Sequence, residues 1–177
     1  MTAVANTVFS AAQFNQFVRD NLNETAPAKA TAAGSHFVAT GVNSIAERQT
    51  QGATDLNNAD TTSTTFTDLS APGAIGPSVT VETGPSALVV VQCQLSNDGA
   101  GSSRMAYAVS GATTIAAADN RGTGIFGSAG VALIASSVSL HFGGVALTPG
   151  INTFTAKYRV SSGTGTFTQR RIIVFPL

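Results

Sequence analysis

From residue 64 onward the sequence alternates apolar and polar side chains in short runs, and this period of two is what most constrains the fold. "ALVVVQCQLS" (87–96) sets Val89, Val91, Cys93 and Leu95 on one side and Gln92 and Gln94 on the other. "NTFTAKYRVSS" (152–162) sets Phe154, Ala156, Tyr158 and Val160 against Lys157 and Arg159. Successive strand residues point to opposite faces, so each run reads as a strand with one buried face. The same rule makes strands of "TTFTDL" (64–69), of "SVTVET" (78–83) with Val79 and Val81 together, and of "SRMAYAVS" (103–110) with Met105, Tyr107 and Val109 together. In "VALIASSVSLHF" (131–142) it points Val138, Leu140 and Phe142 inward and His141 outward. The last run, "GTFTQRRIIVFPL" (165–177), becomes apolar on both faces near Ile172 to Phe175.

Glycine-, proline- and asparagine-rich clusters separate the runs: "APGAIGP", "NDGAGSS", "DNRGTGIFGSAG", "GGVALTPG" and "SSGTG". Short strands with turn signals between them predict an antiparallel β-sandwich, jelly-roll-like, for a head domain over residues 64–177. No helical period intervenes, which excludes a parallel α/β sheet.

The first third of the chain reads differently. In "FSAAQFNQFVRDNLNETAPAKA" (9–30), Ser10 is a good helix N-cap and Gln13 completes a capping box. Phe9 and Phe14 have the spacing of a hydrophobic staple, and Phe14, Phe17, Val18 and Leu22 form a narrow apolar stripe. Asn23 ends the helix and Pro27 prevents its resumption. Three turns are too few to be stable alone in water, so the helix needs a partner surface, in its own domain or on another protein. Residues 24–35 are small and linker-like, giving an anchoring segment over 1–35. "HFVATGVNSIAER" (36–48) predicts a hairpin around Gly41-Val42-Asn43, too small to stand alone. Residues 49–63 have no period and read as loop, completing a connector over 36–63.

Charge and chemistry narrow the function. Charged residues are 10% of the chain, against roughly 25% for ordinary soluble domains, so the surface is solvated by hydroxyls and amides. Such a surface suits dense packing beside identical copies. Net charge is zero, so no global field recruits nucleic acid or anionic lipid. Residues 1–77 carry net −3 and residues 78–177 net +3, a scatter of solvated charges or an aid to head-to-tail packing. Cys93 is the sole cysteine, no apolar run approaches the ~18 residues of a membrane helix, and no secretory signal is expected.

"GTGIFG" (122–127) matches a dinucleotide-binding pattern, but without a βαβ unit it reads as a flexible β loop. His36 and His141 are far apart in sequence, and "NDGAG" is too short for a calcium loop. There is no G-x-S-x-G elbow, and few carboxylates are available for glycoside hydrolysis. Arg170-Arg171 reads as a solvated pair or a contact for an acidic partner. No catalytic residue, metal or cofactor is expected, and the chain is not expected to be an enzyme.

At Ser10, Ala11, Ala12, Asn15, Val18, Arg19, Asp20, Asn21 and Leu22 the chain resembles the N-terminal segment of small virion proteins of tailed actinobacteriophages, with its T/S-A-A-x-x-N-x-x-V/I-R-D-N-L pattern. "AGSHFVATGVNSIAER" is similar to the hairpin segment of phage fibre proteins, from which Glu47, inserted before Arg48, departs. The closing strands are similar to those of the β-sandwich heads on such proteins. The resemblance covers about a quarter of the chain through its first two motifs. It implies a non-enzymatic virion component, made in the host cytoplasm and homotrimeric, displayed as a decoration or short fibre.

On this reading Phe9, Phe14, Phe17, Val18, Arg19, Asp20, Asn21 and Leu22 dock the chain on a capsid or tail protein. Phe37, Val38, Ile45 and Arg48 contribute to trimerisation. A second expectation is a tail-fibre or minor tail protein that binds a host receptor or surface glycan through loops 97–104 and 119–130. A hydrolase is the third.

Overall fold

A computed structural model describes residues 8, 10–23, 29–69 and 75–177. The chain divides into two compact units, Met1–Arg48 and Gln49–Leu177.

In the first unit a helical segment opens at Ser10. It comprises α1 (Ala11–Phe14), one π-helical turn (Asn15–Arg19) and α2 (Asp20–Asn23). Gln13 N–H donates to Ser10 Oγ at 3.2 Å while Ser10 N–H donates to Gln13 Oε1 at 3.0 Å, closing the expected capping box. At the far end of the π turn, Asn21 Nδ2 donates to the Phe17 carbonyl at 2.7 Å. A side chain that bonds a carbonyl four residues back competes with the main-chain ladder, a local cause for the wider turn.

Strands β1 (His36–Gly41) and β2 (Ser44–Arg48) form the hairpin. Its turn is Val42-Asn43, with Asn43 at φ 55°, and a register shift between Ala39 and Gly41 takes up the residue assigned from sequence to a three-residue loop.

The second unit is a jelly roll. Its strands are β3 (Gln51–Asp55), β4 (Ala59–Thr61), β5 (Ser78–Thr83), β6 (Ala87–Asn97), β7 (Ser102–Gly111), β8 (Gly122–Phe126), β9 (Leu133–His141), β10 (Gly150–Val160) and β11 (Gly165–Pro176). One sheet runs β5-β10-β7-β8; the other runs β3-β11-β6-β9, with β4 also on β11. Both are antiparallel, and the chain passes from sheet to sheet at nearly every connection. The core lies between them. Val89, Val91, Cys93 and Leu95 of β6 face Met105 and Tyr107 of β7 and Phe154, Ala156 and Tyr158 of β10, all buried. Here the alternation read from sequence is the alternation found.

Five expectations are corrected. Residues 49–63 are not a loop: β3 and β4 pair with β11 along Arg170↔Asp55 to Val174↔Gln51 and Gly165↔Thr61 to Phe167↔Ala59. These edge strands carry few apolar residues, so no periodicity announced them. Residues 64–69 form no regular strand. They run extended beside β10, held by reciprocal Thr67–Tyr158 main-chain bonds of 3.0 and 2.8 Å.

"GTGIFG" is largely strand β8 rather than a flexible loop. A Cβ on Gly122 would lie 2.3 Å from the Met105 carbonyl oxygen, so glycine there permits close approach to β7.

β9 is inverted relative to expectation. Val138, Leu140 and Phe142 are 63%, 53% and 69% exposed, while His141 is buried. Finally, Arg170 is buried. A bulge between Thr168 and Arg171, with Gln169 at φ 49°, breaks the period of two and turns Arg170 inward. Its Nη2 donates to Asp55 Oδ2 at 2.5 Å, and its guanidinium lies 5.7 Å from the Tyr158 ring centroid. Arg171 remains exposed.

Candidate assembly surfaces

The helical segment carries the first surface. Phe14 is 50% exposed, Phe17 37% and Leu22 61%, with Val18 half-buried and Arg19 and Asn21 exposed. Phe9 and the side chain of Asp20 lie outside the described residues, so the staple is not described. A reciprocal cap therefore holds a helix whose apolar stripe remains largely in solvent. Burial of that stripe is what would stabilise so short a helix.

The hairpin is the second. Phe37, Val38, Ile45 and Arg48 are all half-buried, but the register divides them. Phe37 pairs with Glu47 and Ile45 with Ala39, on one face; Val38 pairs with Ala46 and His36 with Arg48, on the other. One flat contact cannot use all four.

Glu47 has a defined place. Its carboxylate accepts hydrogen bonds from the Thr31 and Ala32 main-chain N–H groups at 3.0 Å and from the Thr31 and Ser35 hydroxyls. Those hydroxyl and amide donors hold the carboxyl down to about 2. The residue that departs from the resembling hairpin pattern thus ties the preceding turn to β2.

The third surface was missed in sequence: the outward face of the β3-β11-β6-β9 sheet. Register places Leu140, Leu88 and Phe175 in one row across β9, β6 and β11, and Val138, Val90 and Ile173 in the next. Ile134 lies on the same face of β9, beyond a polar row of Ser136, Gln92 and Arg171. Large contiguous apolar patches are uncommon on monomers, which makes this face a candidate for association. The signal in the sequence was the apolar character of β11 on both faces. The same logic, applied to β9, would have left its parity open.

Polar groups that could do chemistry are engaged elsewhere. His141 Nδ1 lies 3.0 Å from the Val145 carbonyl, which can only accept, so Nδ1 carries the proton. Nε2, 2.9 Å from the Tyr107 hydroxyl, then accepts. Burial lowers the imidazole pKa. Burial also pushes the Cys93 thiol up to about 12, which leaves it protonated and unreactive. Among the described residues, no group of three His, Cys, Asp or Glu side chains could hold a metal ion, and no helix is long and apolar enough to cross a membrane.

The loops expected to contact a receptor shrink to tips, because 102–104 belong to β7 and 122–126 to β8. The tips are pinned. Buried Asn97 takes the Gly99 N–H on Oδ1 at 3.0 Å and donates from Nδ2 to the Ser162 carbonyl at 3.0 Å. Its main-chain N–H and carbonyl bond Ser128 Oγ and the Gly130 N–H.

No family model matches the chain, and no curated protein matches it. Among solved structures it is similar to the Eiger TNF of S. frugiperda, at 12% identity and a TM-score of 0.48, over 72% of this chain and 91% of that one.

Proposed function

We propose that the protein is a non-enzymatic structural component of a bacteriophage virion. It is displayed on the particle as a decoration or short fibre, anchored through its N-terminal helical segment and assembled as a homotrimer. The observation that carries the anchor is the pairing of a closed capping box with a stripe, Phe14, Phe17 and Leu22, that the folded chain leaves exposed. The trimer is supported by a hairpin with no buried residue and by the outward apolar rows of the second unit. The low charge of the chain supports dense placement on a particle.

Deleting residues 1–30 tests the reading. Purified particles should lack the truncated chain while that chain, expressed alone, keeps its β-type circular dichroism. Incorporation at the wild-type level would contradict it.

A second reading, a tail-fibre or minor tail protein that binds a host-surface receptor or glycan, is favoured by a groove of mixed polar and apolar lining on the face of the head opposite the apolar rows. Saturable adsorption of the purified protein to host cells would support it, and no adsorption would favour plain decoration.

A further inference from the structure

The β5-β10-β7-β8 sheet carries on its outer face a groove enclosing about 640 Å³, within the size range of small-molecule sites. Its construction follows from two strand-like i, i+2 pairs. Lys157 and Arg159 project outward from β10, on either side of buried Tyr158. Phe66 and Asp68 flank Thr67, whose reciprocal main-chain bonds to Tyr158 bring the two pairs opposite each other.

Lys157 Nζ then lies 2.8 and 2.9 Å from the two Asp68 carboxylate oxygens, and the Arg159 guanidinium stands 5.4 Å from the Phe66 ring centroid. Outside the groove lining, Asp119 accepts from Arg159 Nε at 3.0 Å and Nη2 at 2.5 Å. Arg159 draws the Asp119 carboxyl below its ordinary value. Ala108 of β7 is a small floor residue that leaves the groove open, and Thr64 and Thr65 add hydroxyls to its rim.

We propose that this groove is a binding site for a neutral oligosaccharide. Each lining cation already has a carboxylate partner, so the site offers little net attraction to an anion. The Lys157 and Arg159 groups keep N–H donors beyond those spent on the carboxylates, and the carboxylates keep lone pairs. A vicinal diol supplies both a donor and an acceptor at the spacing of such a pair. The C–H face of a sugar ring suits the alanine floor and the half-buried Phe66. The groups are held by sheet backbone and ion pairs, so little ordering cost opposes binding. The site rests on the receptor- or glycan-binding reading and is independent of the assembly reading, since every lining residue belongs to the second unit.

The test uses the full-length chain and amide NMR spectra. Cellotriose, maltotriose, chitotriose, mannotriose and a β-galactotriose are titrated in turn, with trigalacturonate and inorganic phosphate as charged comparators. At least one neutral trisaccharide should shift the amides of 64–68 and 157–159 saturably. Phe66→Ala and Lys157→Met should each weaken that binding about tenfold, the loss of one contact worth about 1.4 kcal/mol, without lowering the melting temperature beyond surface-substitution levels. Ala108→Gln, which fills the floor, should abolish it in a chain that still folds. No response to any neutral trisaccharide, shifts confined to other parts of the head, or preference for trigalacturonate or phosphate would overturn the assignment. None of these outcomes touches particle incorporation, so the anchor reading stands or falls separately.

Discussion

Between residues 8 and 48 no described side chain is buried, whereas the unit from Gln49 to Leu177 closes two sheets over a core that includes Phe154, Tyr158 and Phe167, each fully buried. Both regions carry aromatic residues at regular spacing. In the second unit the period of two meets a facing sheet and becomes core. In the first, the helical stripe of Phe14, Phe17 and Leu22 stays exposed. The same chemical signal therefore marks a buried core in one region and an exposed stripe in the other. What separates them is whether enough neighbouring elements exist to exclude water.

The largest effects should come from breaking the head. Phe154→Ala should cost about 3–5 kcal/mol of unfolding free energy, measured by urea denaturation. Asp55→Ala should cost a similar amount, about 3–5 kcal/mol, because it leaves the Arg170 guanidinium buried without its carboxylate. The double variant Asp55→Leu with Arg170→Met should recover most of that loss, since two apolar groups need no partner. A double variant as unstable as the single one would show that the pair does more than satisfy itself.

A smaller effect on folding and a larger one on assembly is expected at the outward rows. Val138→Ser with Leu140→Ser should change head stability by no more than about 0.5 kcal/mol, as both side chains are exposed. By light scattering the same variant should fall from the mass of three chains to that of one. A trimer that persists would move the assembly contact away from this face. In the first unit, Ser10→Ala should lower helix stability by about 1 kcal/mol. The change should appear as lost ellipticity with no shift in the head's melting temperature.

Acid separates the regions again. Glu47 is held at about 2, against an ordinary value of 4.5, so its bonds contribute stability above 4.5 that is lost as pH falls toward 2. Amide exchange at Thr31 and Ala32 should accelerate relative to the intrinsic rate over that window, and Glu47→Gln should remove the pH dependence.

His141 acts earlier. Burial lowers its pKa, so below about 6.5 the unfolded chain takes up a proton that the folded head refuses. The head's melting temperature should therefore decline as pH falls from about 6.5. A melting temperature flat from pH 7 to 5 would contradict the burial of that ring.

Much of the sandwich was legible because β6, β7 and β10 obey a single rule, apolar side chains at every second position facing the core. β9 defeated the rule. Its inner positions are Leu133, Ala135, Ser137, Ser139 and His141, while Ile134, Val138 and Leu140 point outward. Alternation reports which face is apolar and not which face is covered, and on β9 the two differ. Arg170 escaped for another reason. One residue at positive φ, Gln169, resets the parity of β11, and nothing in "TQRRI" announces a bulge. β3 and β4 were hidden because edge strands of polar residues have no periodicity to read. The helix was legible because its cap and stripe are local.

We propose that the stripe on the N-terminal helix attaches the protein to a particle while the head folds without it. The direct measurement is the copy number of a Phe14→Ser, Phe17→Ser, Leu22→Ser triple variant in purified phage particles, taken with its melting temperature. The account predicts an unchanged melting temperature and a variant missing from the particles. Wild-type copy number for that variant would contradict it.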